Sequence, residues 1–362
     1  MNKSRFLTKD DSKFIYGIAI LLMIYHHLAA FPERFNFNFQ YLFSSDIEIY
    51  LGIFAKICVA LYAFISGYGL YASMTNHSSK YSVIQHLIKF YQKYWLVFIL
   101  FIPLGILAGK FQFSTVNILG SIGGVYQKYN GEWWYVGEYL NILITFPVFY
   151  KLINYLDRTY ILNSKKNTWI KIFIYLLLII IVRRIDLYLA VCLVGMTCNK
   201  FSLFERLEIF LSRYKLSVLG AIFFLSMILA FRTQTNNSDI FCAPLLIWSI
   251  IILKNNLNHS VINRFILYLG RYSIYMWLVH TFFAYYYFQN IILLGKYSVF
   301  IFILILLISL LSAILIDKLY CIISNKISIV AGLKTYHKTI YILLSIYVWS
   351  HLSWKLVAHY IL

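Results

Sequence analysis

Two adjacent histidines, His26 and His27, close the first apolar run of the chain, GIAILLMIYHHLAAF. An ionisable side chain inside a bilayer is costly, so each one in an apolar run is a candidate for function. Neighbouring residues on a helix point about 100° apart, so only one of the pair is expected to face a given interior site. A third histidine, His280, lies in another apolar run, SIYMWLVHTFF, beside Trp277. The segment GEWWYVGEYL opens a further run with Glu132, Trp133, Trp134 and Tyr135, and Glu138 follows. An interfacial aromatic belt accounts for the tryptophans and the tyrosine. It does not account for Glu138. Lys56, in YLGIFAKICVALYAFISGYGLY, either snorkels or lines a cavity. Ser66-Gly67-Tyr68-Gly69 in the same run suits close helix packing. Arg183-Arg184-Asp186 forms a tight charged corner that calls for an anionic ligand group or a pairing acid. Histidines, acids and arginines together suit general-base catalysis on a hydroxyl, with cationic stabilisation of a developing oxyanion. The sequence has no HExxH, CxxC, GxSxG or Walker A run, so metal hydrolysis, serine esterase chemistry and phosphoryl transfer lack motif support.

The elements that must position these residues follow from composition. Of 362 residues, 61% are hydrophobic and only 12% charged, and mean hydropathy is +0.74. A soluble domain carries about 25% charged residues, so a soluble globular enzyme is excluded. Disorder is excluded by 32 Tyr and 30 Phe. A membrane helix needs about 20 apolar residues. By that ruler the chain is an all-α integral membrane protein with a bundle of 10–11 transmembrane helices. The expected spans are about 14–31, 49–71, 94–109, 133–150, 168–182, 187–199, 216–231, 240–253, 272–293, 297–316 and 339–360. The apolar runs are continuous and too long for barrel strands. The whole of 1–362 reads as a single domain, with a core over about 12–319 and an extra C-terminal helix over about 339–360. The first run reads as a retained helix, since no small-residue cleavage site follows it.

A cytoplasmic N-terminus places 23 of the 32 lysines and arginines in cytoplasmic segments, the bias expected of membrane proteins. That bias also explains most of the +19 net charge without nucleic acid. Cys58, Cys192, Cys198, Cys242 and Cys321 are scattered through apolar runs with no metal-type spacing and read as small hydrophobic residues.

At this point four segments resemble one family. SKFIYGIAILLMIYHHLAAF is similar to the opening signature of the acyltransferase-3 membrane family, in which a basic residue is followed after ten residues by a His. FISGYGLY is similar to its Ser-Gly-Tyr/Phe segment, EWWYVGEYLNILITFPVFY to its Trp-rich fourth span, and LGRYSIYMWLVHTFF to its late helix with Ser and His. Order and spacing agree over about residues 12–319. The resemblance implies an O-acyltransferase of the polysaccharide O-acetyltransferase type. Such proteins pass an acyl group, usually acetyl, from cytoplasmic acyl-CoA to a hydroxyl on an extracytoplasmic cell-surface glycan or lipid-linked oligosaccharide. It implies a multi-pass protein of the plasma membrane, in contact with membrane lipid, with no metal. The composition, rich in Ile, Lys, Asn, Tyr and Phe, suggests an AT-rich bacterial genome.

The family's histidine falls on His27, as general base or transient acyl carrier, with His26 facing elsewhere. Glu132 and His280 complete the expected catalytic set. Lys13, Lys89 and Lys93 are the expected donor contacts, and Ser66, Tyr68, Trp133, Trp134, Arg183 and Arg184 the expected acceptor contacts. Two positions depart from the pattern: Tyr16 stands where the family has a basic residue, with Lys13 one turn away. Before the third span LIKFYQKYW offers Lys89 and Lys93 at i,i+4 in place of paired arginines. Two other classes stay open. A polysaccharide polymerase or lipid-linked sugar flippase would use Arg183 and Arg184 on a pyrophosphate. A transporter or sensor would use Lys56 and the histidines as a proton path.

Overall fold

The computed structural model describes residues 6–35, 39–76, 83–158, 168–232, 238–256 and 261–328. The expected last span, 339–360, lies outside the described residues. Among the described residues the architecture is helical and contains no strand; one isolated bridge joins Gln40 to Tyr297. The helices run α1 (Lys9–Ala29), α2 (Ser45–Ala55), α3 (Cys58–Asn76), α4 (Val83–Leu107), α5 (Thr115–Gly123) and α6 (Trp134–Arg158). They continue as α7 (Thr168–Arg183), α8 (Leu187–Phe201), α9 (Leu203–Arg213), α10 (Ser217–Arg232) and α11 (Asp239–Asn256). The last are α12 (Val261–Thr281), α13 (Gln289–Leu293) and α14 (Ser298–Ser328).

Every expected span up to residue 316 falls on a helix. Among the described residues six helical stretches are long and apolar enough to cross a membrane: α1, α2 continued by α3, α4, α6, α11 and α14. α8 with α9 qualifies as a pair bent by 62°. α7, α8 and α10 have 16, 15 and 16 residues. They therefore reach only ~24 Å or less, against a hydrocarbon thickness of about 30 Å. α12 is long enough, at 21 residues, but Arg264 and Arg271 lower its hydropathy. It begins at Val261 rather than near 272, and gives way at its far end to π-helix over Phe282–Tyr287. The chain is an all-α membrane bundle.

The helices present large apolar side chains outward, among them Ile99, Ile181, Phe223 and Leu315. Inward, small residues let helix backbones touch. A Cβ on Gly67 of α3 would collide with the Cys192 carbonyl of α8, and one on Gly195 of α8 with the Phe64 carbonyl of α3. The same device joins α1 to α12, where Gly17 abuts the Ile266 carbonyl. Close backbone approach is how helices gain packing energy when lipid removes the hydrophobic drive between them. At its start α1 is fixed by a capping box of Thr8 and Asp11. Asp11 also pairs with Lys254 at the end of α11.

Overpacking a core usually costs about 1–3 kcal/mol, and a backbone carbonyl cannot rotate away as a side chain can. Gly67→Val is therefore expected to lower the thermal midpoint of the detergent-extracted protein, or to abolish its monodisperse peak in fluorescence-detected size exclusion. Gly69→Ala, which meets nothing within 4 Å, is expected to match wild type. Equal behaviour of the two variants would refute the close α3–α8 contact.

Candidate active site

The last turn of α1 carries His26 and His27, each only 8% exposed. The Nδ1–H of His26 donates to the Gly52 carbonyl of α2 at 2.8 Å. A carbonyl only accepts, so Nδ1 holds the proton and Nε2 keeps its lone pair. The Nε2 of His27 lies 3.6 Å from Oε2 of Glu132. Its Nδ1 is buried without a hydrogen-bond partner. His27 is flanked by both other imidazoles, with ring centroids 5.1 Å from His26 and 5.1 Å from His280. His280 turns its Nδ1 to the carbonyls of Trp277, at 2.8 Å, and Met276, at 3.1 Å. This leaves its Nε2 buried and unpartnered.

Glu132 sits in a 3-10 turn, Gly131–Trp133, that leads into α6. Asn130 caps that turn by accepting from the Glu132 N–H at 3.1 Å. The Asn130 amide donates to the Thr281 hydroxyl at 2.8 Å, immediately after His280. The Trp133 indole donates to the Leu278 carbonyl at 3.0 Å. Two bonds, one on each side of Glu132 in the chain, thus lock the approach to α6 to the end of α12.

Arg34, in the short turn Pro32–Arg34, forms an ion pair with Glu132. Its guanidinium covers the Phe31 ring at 4.3 Å and the Tyr285 ring at 5.5 Å. Burial opposes the Arg34 charge, but the hydrogen bond and charge of Glu132 outweigh it and raise its pKa above the ordinary value. The π-helical segment holds both partners of Glu132. The Tyr285 hydroxyl donates to the His27 carbonyl at 2.5 Å, and the Gln289 amide, just beyond, to the Arg34 carbonyl at 2.9 Å. A π-turn in a helix often marks a functional site.

These groups enclose a cavity of about 300 Å³. Its polar wall is His26, His27, Arg34, Lys56 and Glu132; Trp134, Tyr135 and Trp277 supply aromatic faces. An acid, a cation and an imidazole with uncommitted nitrogens in one cavity suit proton transfer and charge stabilisation at a reacting oxygen.

A family model for the acyltransferase-3 family, described as an acyltransferase domain, matches residues 14–318. The chain belongs to this family. No curated protein and no solved structure matches it. Of the three classes left open by the sequence, membership selects the first: the protein is a membrane acyltransferase.

In this acyltransferase His27, Glu132 and Trp134 line the cavity, and His280 stands directly behind His27. His26 lines the same cavity, contrary to expectation, because Met23, His26 and His27, at i, i+3 and i+4, form one side of α1 and the cavity is wide enough to reach both imidazoles. The other expected residues lie elsewhere. Trp133 is fully buried among Tyr94, Phe98 and Phe282. Ser66 donates to the Tyr62 carbonyl at 2.8 Å and interacts with Tyr16, whose ring stacks on Tyr62 at 5.2 Å. The Tyr68 carbonyl accepts from Asn199 at 2.8 Å. Arg183 and Arg184 sit at the α7–α8 turn, outside the cavity lining. The nearby Asp186 caps α8 and accepts from Asn141. Lys13 is exposed and pairs with Asp10 at 2.8 Å. Fourteen residues along α1, it lies ~21 Å from the His27 level. Lys89 is exposed, and Lys93 lies over the rings of Tyr275 at 5.5 Å and Tyr320 at 5.6 Å. Among the described residues, no group of three or more His, Cys, Asp or Glu is placed to hold a metal ion.

Sequence reasoning missed Arg34 and Tyr285. Arg34 had a usable signal, a cation on the face where the charge bias expects few. Tyr285 had none.

Tyr285→Phe keeps the ring and removes the donor to His27. A hydrogen bond of this kind contributes about 0.5–1.5 kcal/mol, so acyl-transfer rate is expected to fall about three- to tenfold with folded yield unchanged. Initial rates in membranes of matched protein content test this, and a wild-type rate would remove Tyr285 from the positioning of His27.

Proposed function

We propose that this acyltransferase moves an acetyl or other acyl group from cytoplasmic acyl-CoA to a hydroxyl of an extracytoplasmic cell-surface polysaccharide or lipid-linked glycan precursor. The cell is bacterial and the membrane is the plasma membrane. The observation that carries the reading is the placement of His27 beside Glu132 in an aromatic cavity at one end of the bundle. The charge bias of the loops assigns that end to the outer side.

His27 is the general base. The committed Nδ1–H of His280 leaves its Nε2 as a lone pair, and the His27 ring, whose Nδ1 has no partner, lies 5.1 Å away. With its proton on Nδ1, His27 keeps the Nε2 lone pair free to take a hydroxyl proton. Catalytic hydrogen bonds often tighten only when substrate binds. The acceptor oxygen then forms a bond to the acyl carbon. Arg34 faces the negative charge that develops on the acyl oxygen. As the carbon–sulfur bond breaks, His27 returns its proton to the departing thiolate, so proton and charge balance. Glu132 steadies the imidazolium between the two proton transfers, and Arg34 holds Glu132 in place. His280 is a positioning residue. At the other end of the bundle, Lys13, Lys89 and Lys93 are the donor's contacts, as point charges for its phosphates.

Removing a positioned general base costs about 10²- to 10⁴-fold. His27→Ala is expected to eliminate base-labile O-acyl methyl signals from the proton NMR spectrum of extracted surface polysaccharide, at unchanged protein level in the membrane. Wild-type acylation in that variant would refute the role of His27. Unchanged acylation in cells lacking the whole protein would refute the proposed acceptor.

A further inference from the structure

One charged side chain in the cavity has no part in the acyl-transfer chemistry. Lys56 lies at the break between α2 and α3, where the α2 backbone ends and the chain re-enters helix at Cys58. Its side chain lines the cavity together with His26, Arg34 and Glu132. The charges around it are otherwise matched. Arg34 is paired with Glu132. Behind the wall, Arg232 is paired with Asp239 at 2.5 Å, with exposures of 1% and 0%. Lys56 forms no ion pair among the described residues. The charged lining therefore sums to one uncompensated positive charge in a cavity also lined by Phe31, Trp134, Tyr135 and Trp277.

An ammonium held in such a place is costly without an anion or water beside it. Snorkelling would lift Lys56 away from apolar surroundings. The side chain instead joins the polar wall of the cavity, one turn beyond Gly52's contact with α1 and on the same side of the helix. Its three donors on a compact charge fit a carboxylate or a phosphate oxygen. Trp134, Tyr135 and Trp277 offer flat apolar faces of the kind that pack against the C–H face of a sugar ring. A volume of about 300 Å³ stands at the lower end of ligand pockets, so it suits a sugar unit rather than a length of polymer.

We infer that Lys56 is the anion post of the acceptor subsite, and that the glycan acylated here is acidic, with a carboxylate or phosphate close to the hydroxyl that reacts. The identification of the ligand as the acceptor rests on the proposed acyl transfer. The anion subsite itself does not.

The test uses full-length protein in lipid nanodiscs and unacylated surface glycan extracted from cells lacking the protein. The glycan is supplied native, carboxyl-reduced, or treated with hydrofluoric acid to cleave phosphodiesters. Transfer is followed with radiolabelled acetyl-CoA, and binding, which needs no turnover, by quenching of tryptophan fluorescence. Wild type is expected to favour native glycan over the neutralised form by about tenfold or more, the scale of one charge-assisted contact. Loss on carboxyl reduction identifies a carboxylate, and loss on hydrofluoric acid treatment a phosphate. Lys56→Met is expected to bring the ratio close to one, and Lys56→Arg to retain most of it, which separates lost charge from lost folding. Wild type without preference, or Lys56→Met with the wild-type ratio, would overturn the subsite. Lys56-dependent binding without any transfer would support the subsite and overturn the transfer reading. Transfer without charge preference would do the reverse.

Discussion

Glu132 is held between Arg34 and His27, and the rest of the site is arranged around that contact. Its side chain is only 14% exposed. A carboxylate so enclosed is stable only if its partners arrive with it, because an isolated buried charge costs several kcal/mol. The partners come from distant parts of the chain: the end of α1, the turn after it, and the turn before α6. Nothing local brings them together. Asn130, Thr281, Tyr285 and Gln289 do so through hydrogen bonds from side chains to backbone or to each other. The ion pair is therefore an outcome of packing between α1, α6 and α12, and a condition on it.

The irregular backbone gathers in the same place. In lipid every N–H and C=O must find a partner within the protein, so breaks in helices persist only where protein or a cavity surrounds them. The α2–α3 break at Lys56, the 3-10 turns at Arg34 and Glu132, and the π-helical segment at Tyr285 all adjoin the cavity. The regular helices beneath them pack through glycine contacts that leave little freedom of register. A bundle whose helices break around one cavity aims side chains that straight helices cannot aim.

Hydropathy made the helices legible, because apolar length is a one-dimensional property. It placed ten spans on ten helical segments, and it erred at α12 where two arginines interrupt the apolar run. His27, Glu132 and Trp134 were legible as polar or aromatic groups in expensive places. Trp133 was not, since its neighbour faces the cavity while it faces Leu278 and the core, a difference set by one step along the chain. The pairing of Arg34 with Glu132 spans 98 positions and leaves no local pattern. His26 was expected to face away from the site of His27. A 100° step separates neighbours on a helix, but this cavity is wide enough for Met23, His26 and His27 to border it together.

Three imidazoles meet at the site, and their hydrogen bonds give them different capacities. His26 has Nδ1 tied to the Gly52 carbonyl, and His280 has Nδ1 tied to carbonyls of its own helix. Each of these nitrogens must remain a donor, so neither ring can exchange one neutral tautomer for the other without stranding a buried carbonyl. His27 makes no such commitment. One nitrogen faces Glu132, and the other is buried without a partner, beside His280. It is the one ring of the three whose protonation can change on either side without breaking a backbone hydrogen bond. A residue that must take up a proton and release it within one reaction needs that freedom. The two fixed rings, by contrast, hold their lone pairs in constant directions and so give His27 a constant environment in which to move its proton.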